Sequence, residues 1–204
     1  MILFRDHRCV VVNKPSGLAT HRGWDDSEDA LLQRVRDEVN MYVYPIHRLD
    51  RGASGCTLFA TDRESARFFS EAWVDADKRY LAITRGHPQD QILDHAIDGK
   101  DARTQIWCRE TFGRYALVEA RPFTGRLHQV RRHLKHLSCP LIGDVRYGKG
   151  EHNRIFRTQH DLHRLALHCI SLRVADLNVA CPLAEDLAKA LDSVRHTSNV
   201  SSSS

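Results

Sequence analysis

Short apolar runs separated by polar turns mark out the first half of the chain. Ile2 to Phe4 and Cys9 to Asn13 read as strands joined by Arg5-Asp6-His7-Arg8, with Met41 to Ile46 and Cys56 to Thr61 as two more. From Lys78 to Ile83 the alternation puts Tyr80, Ala82 and Thr84 on one face of a strand and Leu81 and Ile83 on the other. Ile92 to Ile97, Ala102 to Cys108 and Tyr115 to Phe123 follow at hairpin spacing, so the sheet is expected to be largely antiparallel. Helical periodicity appears over Ser27 to Val39, with Ser27 as cap and Leu31, Leu32, Val35 and Val39 on one face. It returns from Asp62 to about Asp75, where Ala66, Phe69 and Trp73 recur, and at Leu183 to Val194. After Thr124-Gly125 a short helix opens with Leu127, Val130, Leu134 and Leu137 on its apolar face and Arg131 at the border.

A chain of 204 residues, 42% of them hydrophobic, is long enough for one domain with a good core, or one domain with a cleft between two lobes. The expected domain is 1–195, followed by a polar, disordered tail at 196–204. Six scattered cysteines without a C-x-x-C pair point to a reducing compartment, and the histidines lack a zinc spacing. No signal peptide and no membrane-length apolar run is seen, so the expectation is a cytoplasmic, monomeric protein away from membranes, with no metal and no cofactor. The net charge of +4 suits a polyanionic partner without demanding one.

The stretch His47-Arg48-Leu49-Asp50-Arg51-Gly52-Ala53-Ser54-Gly55 asks for more than folding. Asp50 is a carboxylate between two strands, flanked by arginines, on a Gly- and Ser-rich path able to project it from the end of a sheet. From residues alone it is either a nucleophile or a solvated charged turn. Tyr80 is either functional or an ordinary strand tyrosine, and Arg131 either seeks a carboxylate or extends to water beside Arg132 and Lys135. No acidic residue lies between Glu119 and Asp144, whereas Arg121, Arg126, Arg131, Arg132 and Lys135 do, as a phosphate-tracking groove would require.

Three motifs in order resemble those of the RluA-type pseudouridine synthases. His47-Arg48-Leu49-Asp50 with Ser54-Gly55 is similar to the family's catalytic loop, although Ala53 replaces the usual threonine. Lys78-Arg79-Tyr80-Leu81-Ala82 is similar to the second motif. Thr124-Gly125-Arg126, His128-Gln129, Arg131 and His133-Leu134 match the third. Asn13-Lys14-Pro15-Ser16-Gly17, Cys139-Pro140-Leu141-Ile142-Gly143-Asp144 and a closing strand at Leu165 to Val174 resemble further family segments, and the likeness runs from about Ile2 to about Val179. It implies an α+β fold, a mixed, mostly antiparallel sheet flanked by helices with a central catalytic cleft. No S4-like domain is expected, because the chain enters its first strand at once.

The resemblance further implies isomerisation of uridine to pseudouridine in RNA, with Asp50 catalytic, Tyr80 stacked on the base and Arg131 paired with Asp50. Arg48 would fill the stack vacated by a flipped uridine. Arg48, Lys14, Arg126, His128, Arg132 and Lys135 are expected to contact RNA. Transfer RNA is favoured over ribosomal RNA, since His21-Arg22-Gly23-Trp24 and the segment from His152 to His168 look like the tRNA-modifying branch. A non-catalytic RNA-binding protein and a metal-dependent hydrolase of RNA stay open as other classes, the second weakened because Asp50 has no acidic neighbour in sequence.

Overall fold

The computed structural model describes residues 1–21 and 30–201. In chain order the elements are β1 (Ile2–Arg5), β2 (Cys9–Lys14), α1 (Leu31–Val39), β3 (Tyr44–Pro45), β4 (Ser54–Ala60), α2 (Arg63–Ala72) and a 3-10 turn at Trp73–Asp75. Then come β5 (Asp77–Arg85), β6 (Gln91–Asp94), β7 (Arg103–Phe112), β8 (Tyr115–Pro122), α3 (Gln129–His136), α4 (Gly150–Gln159), β9 (Leu167–Val174), β10 (Leu177–Ala180) and α5 (Glu185–Ser201). This is the α+β mixture expected, with mostly antiparallel strand pairing. The chain forms two compact units, Met1–Lys78 with Cys169–Pro182, and Arg79–His168 with Leu183–Ser204.

In the first unit β2 pairs with β1 on one side and β4 on the other, its register running from Cys9 opposite Ala60 to Lys14 opposite Gly55. Helix α1 buries Leu31, Val35 and Val39, one residue per turn, against Val10, Val12, Val43 and Phe59. The expected cap Ser27 and the loop aromatic Trp24 lie outside the described residues. Helix α2 starts as its sequence requires: the Asp62 carboxylate accepts the Ser65 backbone N–H at 2.8 Å. The run Met41 to Ile46 does not become a full strand. Tyr44 and Pro45 pair with β4, the Ile46 N–H donates to the Leu58 carbonyl at 3.1 Å, and Met41 and Tyr42 stay exposed. Gly55, at φ +110°, could not be another residue: a Cβ there would fall 2.2 Å from the Cys169 carbonyl oxygen.

In the second unit β5, β8, β7 and β6 pair antiparallel in that order. The face carrying Tyr80, Thr104, Ile106, Val118 and Ala120 is buried, and α3 bonds to it through Gln129 and His133, both of which meet the Thr104 hydroxyl. On the opposite face Leu183, Leu187 and Leu191, around α5, lie with Leu81, Ile83 and Leu117. Three expectations change here. Helix α3 starts only at Gln129, because His128 adopts a left-handed backbone (φ +55°), and Leu127 is 57% exposed rather than on the core face. Helix α5 continues through 196–201, where a disordered tail was expected; Arg195 grips Glu110, and the Thr197 hydroxyl bonds back to the Ser193 carbonyl. Residues 202–204 are outside the described set. Helix α4 here, and strand β10 in the first unit, were not anticipated.

Candidate active site

Asp50 is half-buried on a loop whose neighbouring residues are tied down. The Leu49 N–H donates to the Thr20 hydroxyl at 3.3 Å, and the Arg51 carbonyl accepts from the Gly17 N–H at 2.8 Å and from Lys14 Nζ at 3.2 Å. Arg51 Nε returns a bond to the Gly17 carbonyl, and the Ser16 hydroxyl donates to the Gly52 carbonyl at 2.7 Å. The turn at 14–20 therefore braces the loop from both sides of Asp50. Ala53, where the loop lacks the family's usual threonine hydroxyl, is 1% exposed and closes the turn with its backbone N–H on the Asp50 carbonyl at 3.0 Å, a bond that needs no side chain.

His47 fixes the start of the loop. Its Nε2 accepts the Leu58 N–H at 3.1 Å, and its ring stacks on Trp73 with centroids 4.5 Å apart. Burial, followed by the nearby Lys78 cation, pushes its pKa down to about 3, so the imidazole is neutral and its ring proton sits on Nδ1.

Lys14 corrects an expectation. It is 0% exposed and places its ammonium on the Pro15, Leu18 and Arg51 carbonyls, so it braces the Asp50 loop from inside instead of presenting a surface cation to RNA. Arg48, two residues before Asp50, is exposed.

In the second unit, Tyr80 is 9% exposed on β5 opposite Ala120. Arg131 is 8% exposed and forms a fork with Asp144: Nε donates to Oδ2 at 2.7 Å and Nη2 to Oδ1 at 3.0 Å. It does not extend to water. Burial works to raise the Asp144 carboxyl, but the Arg131 bonds and the Tyr147 and Arg146 backbone N–H groups outweigh it and hold the pKa below the ordinary value. Asn153 on α4 anchors the Asp144 turn, donating to the Asp144 carbonyl and accepting the Gly143 N–H at 2.8 Å. Gly143 (φ +74°) must be glycine there, since a Cβ would sit 1.8 Å from the Arg164 carbonyl oxygen. The Tyr147 ring lies 5.1 Å from the Arg131 guanidinium, and its hydroxyl meets His128 Nδ1 at 3.1 Å. Asp144 is the residue sequence reasoning missed. Its signal was the Gly143-Asp144 pair ending a segment already matched to the family.

The expected basic stripe does not form one patch. Arg132 forks onto Asp98 at 2.7 and 2.8 Å, and Arg126 Nε donates to the Asp101 carbonyl at 2.7 Å. Lys135 is exposed on α3, whereas Arg121 points to the sheet face opposite α3.

With this geometry in view, a family model described as RNA pseudouridylate synthase matches residues 8–136. A protein named tRNA pseudouridine synthase C from Vibrio parahaemolyticus is 35% identical, covering 84% of this chain and 83% of its own. One of the same name from Haemophilus ducreyi is 38% identical over 82% of each. Among solved structures, human RNA pseudouridylate synthase domain containing 4 superposes with a TM-score of 0.80 at 27% identity, covering 95% of this chain and 92% of that one.

Proposed function

The chain belongs to the RNA pseudouridylate synthase family, and from that premise we propose that it converts a uridine of a transfer RNA to pseudouridine with Asp50 as the catalytic carboxylate. The reaction breaks the N-glycosidic bond, turns the uracil and rejoins it to the ribose through C5. It is redox-neutral, and it asks for a placed carboxylate and a pocket that keeps the detached base. The observation that carries the reading is the bracing of Asp50: the residues on either side of it are bonded to the turn at 14–20, so the carboxylate is presented from a fixed backbone.

In this reading Tyr80 stacks on the extruded base, and Arg48, exposed two residues before Asp50, enters the stack that the base leaves. By the family likeness Arg131 is the cation that pairs with Asp50, and Asp144 holds its Nε and Nη2. Transfer RNA as substrate is supported by the names of the two bacterial relatives, each matched over more than four-fifths of its length. The test is purified protein on unmodified tRNA transcripts and, separately, on ribosomal RNA fragments, with pseudouridine mapped by carbodiimide-blocked primer extension. Wild type is expected to modify a tRNA. Asp50→Asn is expected to make no pseudouridine while binding RNA as well or slightly better, because a negative charge has gone. Turnover by that variant would remove Asp50 as the catalytic residue, and modification confined to ribosomal RNA would overturn the substrate.

A further inference from the structure

The second unit carries cations and aromatic rings on the sheet face turned away from α3. Register places Trp107 opposite Glu119, Gln105 opposite Arg121, and Leu81 opposite Glu119, so these side chains share that face with Arg79. Leucines around α5 gather at the Leu81 and Leu117 end. Further along, Arg103, Arg109 and Phe123 are exposed, and Trp107 and Arg121 are half-buried.

The arrangement repeats. The Arg79 and Arg109 guanidinium carbons lie 4.8 and 5.2 Å from the Trp107 ring centre, and those of Arg103 and Arg121 lie 5.3 and 4.8 Å from that of Phe123. Each ring thus supports two arginines. Glu119 bonds to Arg79 and Arg109 at 2.9 and 2.8 Å, which fixes both guanidinium groups. Asp94, opposite Arg103 on β6, is a second carboxylate of the face, and Glu110, opposite Leu117 beyond the β7 bulge, is a third that Arg195 of α5 holds; among the described residues the four arginines around Trp107 and Phe123 outnumber Glu119 and Asp94 by two. Guanidinium groups held against rings keep N–H donors for phosphate oxygens, and less side-chain freedom is lost on binding than with unsupported arginines.

We propose that this face is a second RNA-binding surface, one that grips the phosphate backbone of a helical arm of the substrate RNA away from the reacting uridine. Charge selects a polyanion, and the spread of four arginines over neighbouring strands suits a double-stranded backbone, which is recognised by shape and phosphates rather than by sequence. The inference rests on the reading of RNA as the substrate.

The test compares wild type with Arg103→Gln/Arg121→Gln and, separately, with Arg109→Gln, after melting curves have established that the variants fold. Affinity is measured over a salt series for a full tRNA transcript and for a plain RNA duplex of about 16 base pairs; turnover is measured on a short stem-loop bearing the target uridine. Expected is a loss of about tenfold in affinity for tRNA and duplex in the double variant, with the slope of log Kd against log salt shallower by about 1–2 and stem-loop turnover unchanged. Arg109→Gln should show a smaller loss of the same kind. Unchanged affinity and slope on both RNAs would overturn the proposal, and an equal loss of stem-loop turnover would overturn the remote location. If wild type modifies no tRNA, the substrate reading fails, while the duplex measurement still decides this surface.

Discussion

Two buried cations show how far a residue's type constrains its role and where it stops. Lys14 and Arg131 both read as basic groups near a groove, yet each is inside the protein with partners of its own: Lys14 bonds to three carbonyls, and Arg131 gives Nε and Nη2 to Asp144. A buried cation survives only when its donors are matched, so removing either side of the match is costly. Lys14→Met should therefore destabilise the protein by about 2–4 kcal/mol and lower kcat, because the Arg51 carbonyl next to Asp50 loses its ammonium partner. Asp144→Asn keeps the shape of the side chain but sets an amide against the guanidinium. It should cost about 3–5 kcal/mol and slow single-turnover pseudouridine formation by tenfold or more, with RNA affinity little changed. Urea melts and single-turnover kinetics check both variants. An Asp144→Asn protein with wild-type rate and stability would make the Asp144 fork a passive contact.

At the scale of elements, periodicity found what is governed by one face and missed what is governed by hydrogen bonds. Leu31, Val35 and Val39 on α1 are where the pattern puts them, because an amphipathic helix on a sheet has only that face to bury. Leu127 was misplaced because the start of α3 is set by a polar side chain. Gln129 is 5% exposed; its Oε1 accepts from the Thr124 hydroxyl and the Arg126 N–H, and its Nε2 donates to the Arg103 carbonyl and the Thr104 hydroxyl. That network turns the chain through left-handed His128 and leaves Leu127 outside. Likewise α4, a short helix around Asn153 and Phe156, carries a polar sequence whose apolar stripe is too thin to read. The family likeness singled out Asp50, Tyr80 and Arg131 as candidates from their motifs, whereas the Asp144 fork and the bracing by Lys14 depend on contacts that only the folded chain displays. Gln129→Ala should cost about 2–3 kcal/mol by leaving buried polar groups without this partner, and should loosen the start of α3 and with it Arg131. Hydrogen exchange across 124–134 would register the loosening. Unaltered protection there would show that the helix start is held by other contacts.

Across the molecule, the same burial that organises the site also sets its response to pH. His47 is pushed down to about 3 by burial and then by Lys78, and burial lowers His133, His152 and His160 as well, so the fold disfavours the protonated form of all four. An unfolded histidine takes up its proton near pH 6.5, so below that pH the unfolded chain binds more protons than the folded one and stability falls as pH falls. For His47 the window runs from about 6.5 down to about 3, and the solvent-reached edge of its ring moderates the effect to roughly 1 kcal/mol per pH unit. On the alkaline side, burial holds the Cys9 thiol, and contact with the Cys169 thiol holds that of Cys56, at about 12. The unfolded thiols ionise near pH 9, so stability declines again only as pH rises past that value. Urea unfolding should therefore give a plateau between about pH 6.5 and 9 and a loss of at least about 1 kcal/mol by pH 5. His47→Gln retains an acceptor for the Leu58 N–H without a proton to gain, so it should be less stable than wild type at pH 7.5, where the Trp73 stack is missed, yet lose less on going to pH 5. If both proteins lose the same stability over that interval, the acid sensitivity comes from the other three histidines and the neutral His47 contributes nothing to it.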